Sequence, residues 1–206
     1  FTIKPCIFGS LISYFVPVKK CINSITGIGS WYENNRISIR IAIFIINPFL
    51  RIIFARKNIL FIFQNKDDRN IFIKKKYSFK NNIFLIEGSG IDCNYFKRNI
   101  NIHKDRVKKQ ILFPARIIKE KGIIELIEAC KLLWKKNYIF NLLIAGELDP
   151  GNTSCLNSRE IKDIVQNSNI KLLGHLEDMR DAYYESDIVV LPSWREGLSR
   201  SLIEAS

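Results

Sequence analysis

Two carboxylates and two cations stand where they could do chemistry. Glu196 and Glu204 are separated by seven residues, and ahead of them runs Asp187-Ile188-Val189-Val190-Leu191, a pure β-run followed by Pro192-Ser193. Leu198, Leu202 and Ile203 are spaced for one face of a helix beginning near Leu198. A loop holding Glu196 and Gly197, between a buried strand and a helix start, offers an anion free backbone N–H groups and the positive end of the helix dipole. Glu196 at the mouth and Glu204 about two turns along the helix could accept hydrogen bonds from several hydroxyls, as a sugar and a ribose present them. Two solvated surface glutamates are the alternative.

The cations lie in Phe113-Pro114-Ala115-Arg116-Ile117-Ile118-Lys119-Glu120-Lys121-Gly122. Arg116 closes a β-run and Lys121 falls five residues later, at the mouth of the next helix. Two fixed cations there would hold a diphosphate, although one lysine near a helix start is ordinarily solvated. Lys119 is expected to face water. A metal is not expected: the cations and a helix end can carry a leaving group's charge, and the chain has no Asp-x-Asp.

These residues need strand ends to hold them. From about Lys104 the pattern is regular: strands over Gln110–Ala115, Phe140–Ala145, Ile170–Leu173 and Asp187–Leu191, with helices over Glu120–Lys136, Ser158–Asn167, capped by Ser158, and Asp178–Ser186. In the first of these helices Ile123, Ile124, Leu126, Ile127, Cys130, Leu133 and Trp134 face inward. Alternating strands and helices mean a parallel sheet, with ligands at the carboxyl ends of its strands. Gly146-Glu147-Leu148-Asp149 and Gly174-His175-Leu176-Glu177-Asp178 are further loops at such ends. His175 reads as a surface histidine rather than a base, and Trp194 and Arg195 either shape a sugar pocket or pack.

The amino-terminal part is less regular. Phe1–Phe15 reads as a loop entering a short helix after Pro5, Cys21–Thr26 as a strand, and Thr26-Gly27-Ile28-Gly29-Ser30 as a glycine turn at its end, which alone could be only a tight turn. Arg36–Lys57 is a helix apolar nearly all round, with Arg36, Arg40, Asn47 and Arg51 inside an arc of about 60°. Its ten uncharged residues between Arg40 and Arg51 are too few to span a bilayer, and Pro48 should kink or end it. It is either a core helix or one lying at a membrane interface. Ile59–Phe63 and Ile83–Ile86 read as buried strands, Asn65–Arg69 as a helix start with acidic residues in its first turn, and Lys74-Lys75-Lys76 as a solvated face or a contact with lipid phosphate.

The Glu-x7-Glu spacing after Leu-Pro-Ser resembles the nucleotide-sugar motif of the retaining GT-B glycosyltransferases of family 4. Arg116 to Gly122 resembles that family's Arg-x4-Lys-Gly motif, and Gly174 to Asp178 its Gly-x-(Val/Leu)-x-Asp loop. Thr26 to Gly29 resembles the Thr-Gly-Leu-Gly loop of bacterial members that build lipid-linked glycans. The resemblance implies an α/β fold of GT-B architecture: two Rossmann-like domains across a cleft, here residues 1–103 on the acceptor side, a junction near 87–103, and 104–206 on the donor side. Its activity would be that of a retaining hexosyltransferase, passing a sugar from a nucleoside diphosphate donor, with a UDP-sugar expected, to a glycan acceptor, in surface polysaccharide synthesis. Arg116, Lys121 and Glu196 take the catalytic roles; Arg116, Lys121, Leu176, Glu196, Gly197, Leu198, Ser199 and Glu204 bind donor; Thr26, Gly27 and Gly29 form a substrate loop. Both ends of the family's chain are expected to be missing, which leaves a nonenzymatic remnant as one rival.

The 206 residues are 47% hydrophobic and carry 32 Lys and Arg against 20 Asp and Glu, a net charge of +12. The balance excludes a disordered chain and invites an anionic partner: a phosphorylated substrate, an acidic membrane surface or nucleic acid. Nucleic acid is disfavoured because the aromatics sit in apolar runs and the cations scatter. Five cysteines, at 6, 21, 93, 130 and 155, show no Cys-x-x-Cys, so neither a zinc site nor a disulfide framework is expected. A cytoplasmic enzyme is expected, with a peripheral place on the inner face of the plasma membrane and a polyprenyl-linked acceptor as its membrane connection.

Overall fold

The computed structural model describes residues 2–28, 37–88, 90–97, 108–194 and 196–206. The chain forms two compact units, Phe1–Ser89 with Glu196–Leu198, and Gly90–Arg195 with Ser199–Ser206.

The first unit runs α1 (Ile3–Ile12), β1 (Cys21–Ile25), α2 (Ile37–Phe54), β2 (Ile59–Phe63), α3 (Lys66–Lys74) and β3 (Ile83–Leu85). Its three strands are parallel, in the order β1-β2-β3. Ile59, Phe61 and Phe63 alternate into the core, as period-2 burial requires. There Phe54, Phe61, Phe63, Phe72 and Tyr77 pack ring against ring, with centroids as close as 4.7 Å.

Three expectations fail here. The first helix does not wait for Pro5: it begins at Ile3, with proline in the first turn where no N–H is needed. Of the two effects expected at Pro48, a kink or an end, the end does not occur. Pro48 lies on the exposed side, where the carbonyl it leaves unbonded can take water, and the buried Leu50 and Phe54 beyond it hold the last turns to the core. β3 is an edge strand whose Phe84 is exposed, not a buried one.

The second unit runs β4 (Lys109–Phe113), α4 (Ile123–Lys135), β5 (Phe140–Ala145), α5 (Ser158–Val165), β6 (Ile170–Gly174), α6 (Arg180–Glu185), β7 (Ile188–Val189) and α7 (Arg200–Ala205). All pairs are parallel and the order is β6-β5-β4-β7. Alternate residues bury on opposite faces: Phe113, Leu142 and Ile144 under Ile123, Ile127 and Ile164, and Leu112, Leu143 and Ala145 under Ala182 and Tyr183. A sheet covered on both faces explains strands that read as unbroken apolar runs.

Several boundaries move. α5 is capped by Asn157, not Ser158: Asn157 Oδ1 accepts from the Glu160 N–H at 3.0 Å and Glu160 Oε2 from the Asn157 N–H at 2.7 Å. Asp178 precedes α6 and accepts the Arg180 N–H at 3.0 Å. Leu133 is 38% exposed rather than inward, and β7, at the sheet edge, keeps only two residues, with Ile188 exposed. α7 starts at Arg200 rather than near Leu198, which groups with the first unit.

Candidate functional site

In the second unit the chain lays down β4, β5 and β6 in one direction and then returns to place β7 on the other side of β4. The order thus reverses between β4 and β7, and the strand carboxyl ends at such a reversal are the place where open parallel sheets hold ligands. Arg116, Lys121 and the start of α4 follow β4, and Pro192 to Trp194 follow β7.

Three loops are tied together there through their backbones. A Cβ on Gly146 would stand 2.0 Å from the Ala115 carbonyl oxygen, so the β5 loop touches the end of β4. The Ile117 N–H donates to the Glu147 carbonyl at 2.9 Å, and the Lys119 N–H to that of Ser154 at 2.9 Å. Gly122 is left-handed, φ 73°, and a Cβ on it would stand 2.1 Å from the Pro192 carbonyl oxygen. The Glu120 carbonyl accepts from the Trp194 N–H at 3.0 Å and from Ser193 Oγ at 3.1 Å. Lys121, between Glu120 and Gly122, is therefore held by its main chain.

Arg116 Nη1 meets Asp149 Oδ2 at 2.6 Å, with 59% of the arginine side chain still exposed. Asp149 belongs to a loop visible in sequence as a strand end, but nothing in its type marks it as the partner of Arg116. Lys119 is not simply solvated: its ammonium meets Glu160 Oε1 at 2.8 Å, and that bond, with the capping bond from Asn157, holds the Glu160 carboxyl below its usual range.

Glu204 is 10% exposed and both its oxygens are engaged. Oε1 accepts from Arg200 Nε at 2.7 Å, one turn back on α7, and Oε2 from the Tyr183 hydroxyl at 3.0 Å. Burial, then the bond to Glu204, pushes the Tyr183 phenol well up, so it remains a donor. Tyr183 is the residue sequence reasoning missed: on α6 it reads as core, and it is core, with only its hydroxyl turned to the site. Ser199 precedes α7, its Oγ 3.0 Å from that of Ser201. Leu176 packs on the sheet cluster of Leu112 and Leu143, and His175 is exposed in its loop.

The remaining candidates group with the first unit. Glu196, Gly197 and Leu198 belong to it together with Thr26 and Gly27; Gly29 lies outside the described residues. A Cβ on Gly197 would stand 2.9 Å from both the Thr26 carbonyl oxygen and Gln64 Oε1, the residues that follow β1 and β2. Asp68, fully buried at the start of α3, secures that turn by accepting the Ile28 N–H at 3.2 Å and Asn65 Nδ2 at 3.0 Å. Thus Arg116, Lys121, Leu176, Ser199 and Glu204 share one unit, and Glu196, Gly197, Leu198, Thr26 and Gly27 the other.

Residues 96–206 match the family model described as glycosyl transferases group 1. Over 96% of its length the chain is 27% identical to the N,N'-diacetylbacillosaminyl-diphospho-undecaprenol alpha-1,3-N-acetylgalactosaminyltransferase of Campylobacter jejuni, of which it covers 53%. Over 45% of its length it is 34% identical to the capsular polysaccharide biosynthesis glycosyltransferase CapM of Staphylococcus aureus, covering 24% of that protein. Among solved structures, Anabaena HepE in complex with UDP and glucose superposes with a TM-score of 0.71 at 18% identity, over 98% of this chain and 54% of that one. The chain spans about half the length of the Campylobacter protein and of HepE. The fold is mixed α/β with parallel sheets, matching GT-B glycosyltransferases.

Proposed function

The chain belongs to the glycosyl transferases group 1 family, and from that premise we propose that it moves a sugar from a UDP-sugar to a lipid-linked glycan, with retention at the anomeric carbon, as a hexosyltransferase of surface polysaccharide synthesis. One observation carries the reading: the β4, β5 and β7 loops are locked to one another at the strand reversal, presenting Arg116 and Lys121 from a fixed main chain. Fixed cations suit a diphosphate because they need no reorganisation when charge develops on the departing oxygen. UDP is the nucleotide in the HepE complex, and the Campylobacter relative is named for a diphospho-undecaprenol acceptor.

In this reading Arg116 and Lys121 hold the donor diphosphate and take up the charge of the leaving UDP. The loop of Leu176 meets the nucleobase, Glu204 accepts from the ribose hydroxyls, and Glu196, Gly197, Leu198 and Ser199 contact the sugar and its phosphate. Thr26, Gly27 and Gly29 belong to the acceptor side. The acceptor oxygen bonds to C1 as the C1–O bond to phosphate breaks; the electron pair leaves on the phosphate, whose oxygen takes the acceptor's proton on the same face. No metal enters, since the side chains supply the positive charge.

The test is proton NMR of the product formed from an α-linked UDP-sugar and a polyprenyl diphosphate-linked acceptor in EDTA. An α-linked product is expected. A β-linked product, or transfer that needs added magnesium or manganese, overturns the mechanism, and UDP binding without hydrolysis or transfer assigns the chain to a nonenzymatic binder.

A further inference from the structure

The place of Asp149 is set by main-chain contacts on both sides of it. Leu148 forms a parallel bridge to Ile117 and Cys155 an antiparallel bridge to Ile118, so the loop leaving β5 is fastened at two points to the segment that follows Arg116. Between those points the Asp149 carbonyl accepts the Asn152 N–H at 2.9 Å, and Asn152 Oδ1 accepts the Ser154 N–H at 2.8 Å. A carboxylate fixed in this way can orient an arginine, whose own stem is long and flexible. Asp149 takes one corner of the guanidinium through Nη1, and the planar fork has further N–H groups with which to face an anion.

The same carboxylate sets the charge beside a ligand. Arg116 and Lys121 contribute two positive charges, and Asp149 offsets one of them. Sugar transfer changes the charge that these residues meet. A sugar nucleotide has one ionised oxygen on each phosphate, whereas the nucleoside diphosphate released from it has a terminal phosphate with a second pKa of about 6 and carries about one more negative charge near pH 8. Cations alone therefore hold the product more tightly than the donor, which slows the release step that limits many enzymes. A carboxylate on one edge of a guanidinium stands about 7 Å from a phosphate on another, and in water it opposes that extra charge by about threefold in binding. Solvent does reach this pair, whose side chains are 59% and 30% exposed. Lys119 and Glu160, an ion pair of the same signs between the β4 loop and α5, provide an internal comparison.

We infer that Asp149 is a positioning residue that holds Arg116 for the diphosphate and, through it, narrows the preference of the site for the nucleoside diphosphate product over the sugar nucleotide. The inference rests on the proposed donor site and adds to it a discrimination between substrate and product.

The experiment is calorimetric titration of the full chain at about pH 8, in EDTA and about 0.05 M ionic strength, with UDP and with its terminal methyl ester, which has the donor's charge and no sugar. In Asp149→Asn the amide oxygen still accepts from Nη1 but the charge is gone, so UDP should tighten by about threefold relative to the ester. In Asp149→Ala the ratio should rise as much, while both ligands bind at least about threefold more weakly than to Asp149→Asn, because the guanidinium has lost its anchor. Glu160→Gln, which changes the net charge equally but beside Lys119, should keep the wild-type ratio. An unchanged ratio in Asp149→Asn, an equal rise in Glu160→Gln, or affinities in Asp149→Ala that match those of Asp149→Asn overturns the inference. Failure of the wild-type chain to bind either ligand removes the donor reading and this inference with it; binding of both with a ratio that Asp149→Asn leaves unchanged removes this inference alone.

Discussion

At the scale of single residues, the presentation of Glu204 depends on Tyr183. The phenol hydroxyl fills one lone pair of a carboxylate that is 10% exposed, and Tyr183→Phe removes that donor without opening a cavity. The loss of one such bond is on the order of 0.5–1.5 kcal/mol of stability, so the unfolding midpoint should fall, and UDP affinity should fall with it because Glu204 loses the contact that orients it. Glu204→Ala should cost more, on the order of 1.5–3 kcal/mol of UDP binding. Calorimetric titration decides: unchanged affinity in both variants removes Glu204 from the site. That Arg116 and Lys121 follow a strand and that Glu204 lies on a helix was legible in the sequence from the apolar runs and their spacing. Asp149 and Tyr183 were not, because each acquires its partner through tertiary contact: one across two adjacent loops, the other from a helix whose periodicity reports only that the residue is buried.

Asp178 gives the second unit a pH dependence with a definite sign. The Arg180 guanidinium first, and then the Arg180 N–H, hold its carboxyl at about 2 against an ordinary value of 3.8. A depressed folded-state pKa means that its stabilisation is present above the ordinary value and is lost as the pH falls towards about 2. The melting temperature should therefore drop over that window, less steeply in Asp178→Asn. A variant with the wild-type acid profile would show that the pair contributes nothing to α6.

At the scale of elements, the turn at Gly122 is the joint of the site. Its φ of 73° is left-handed, and the Pro192 carbonyl occupies the space of a side chain. Gly122→Ala should cost at least about 1–3 kcal/mol from the backbone conformation, with the clash added, and should weaken UDP binding because Lys121 moves with the turn. Gly27→Ala is the contrast: nothing lies within 4 Å of its Cβ, and its stability should stay within about 1 kcal/mol. Urea unfolding of the two variants distinguishes them; equal midpoints would mean that the β4 and β7 loops are not in fact locked. The parallel strands of the second unit were readable as apolar runs alternating with helices of period 3.6. The first unit was harder, because α1 and α2 are apolar on both sides and no period separates a buried face from an exposed one. For the same reason a kink and an end at Pro48 both stayed open in the sequence: its effect depends on which side of the helix it faces.

At the scale of the whole molecule, the chain carries one unit rich in Lys and Arg and another in which a strand reversal presents Arg116 and Lys121 from a main chain tied to neighbouring loops. The family was legible from short stretches whose residues must lie at strand ends, and the matching residues 96–206 are the regular part of the chain. Division of the candidate residues between two units was not legible, since a loop's sequence does not state which core it packs on. The measurement that bears most directly on the donor reading is calorimetric titration of the full chain with UDP in EDTA, repeated with Arg116→Gln/Lys121→Gln. The prediction is saturable one-site binding, indifferent to EDTA and weakened at least about tenfold by the paired substitution, as the loss of charge-assisted bonds requires. Binding that is absent, that needs magnesium or manganese, or that survives the paired substitution undiminished would contradict it.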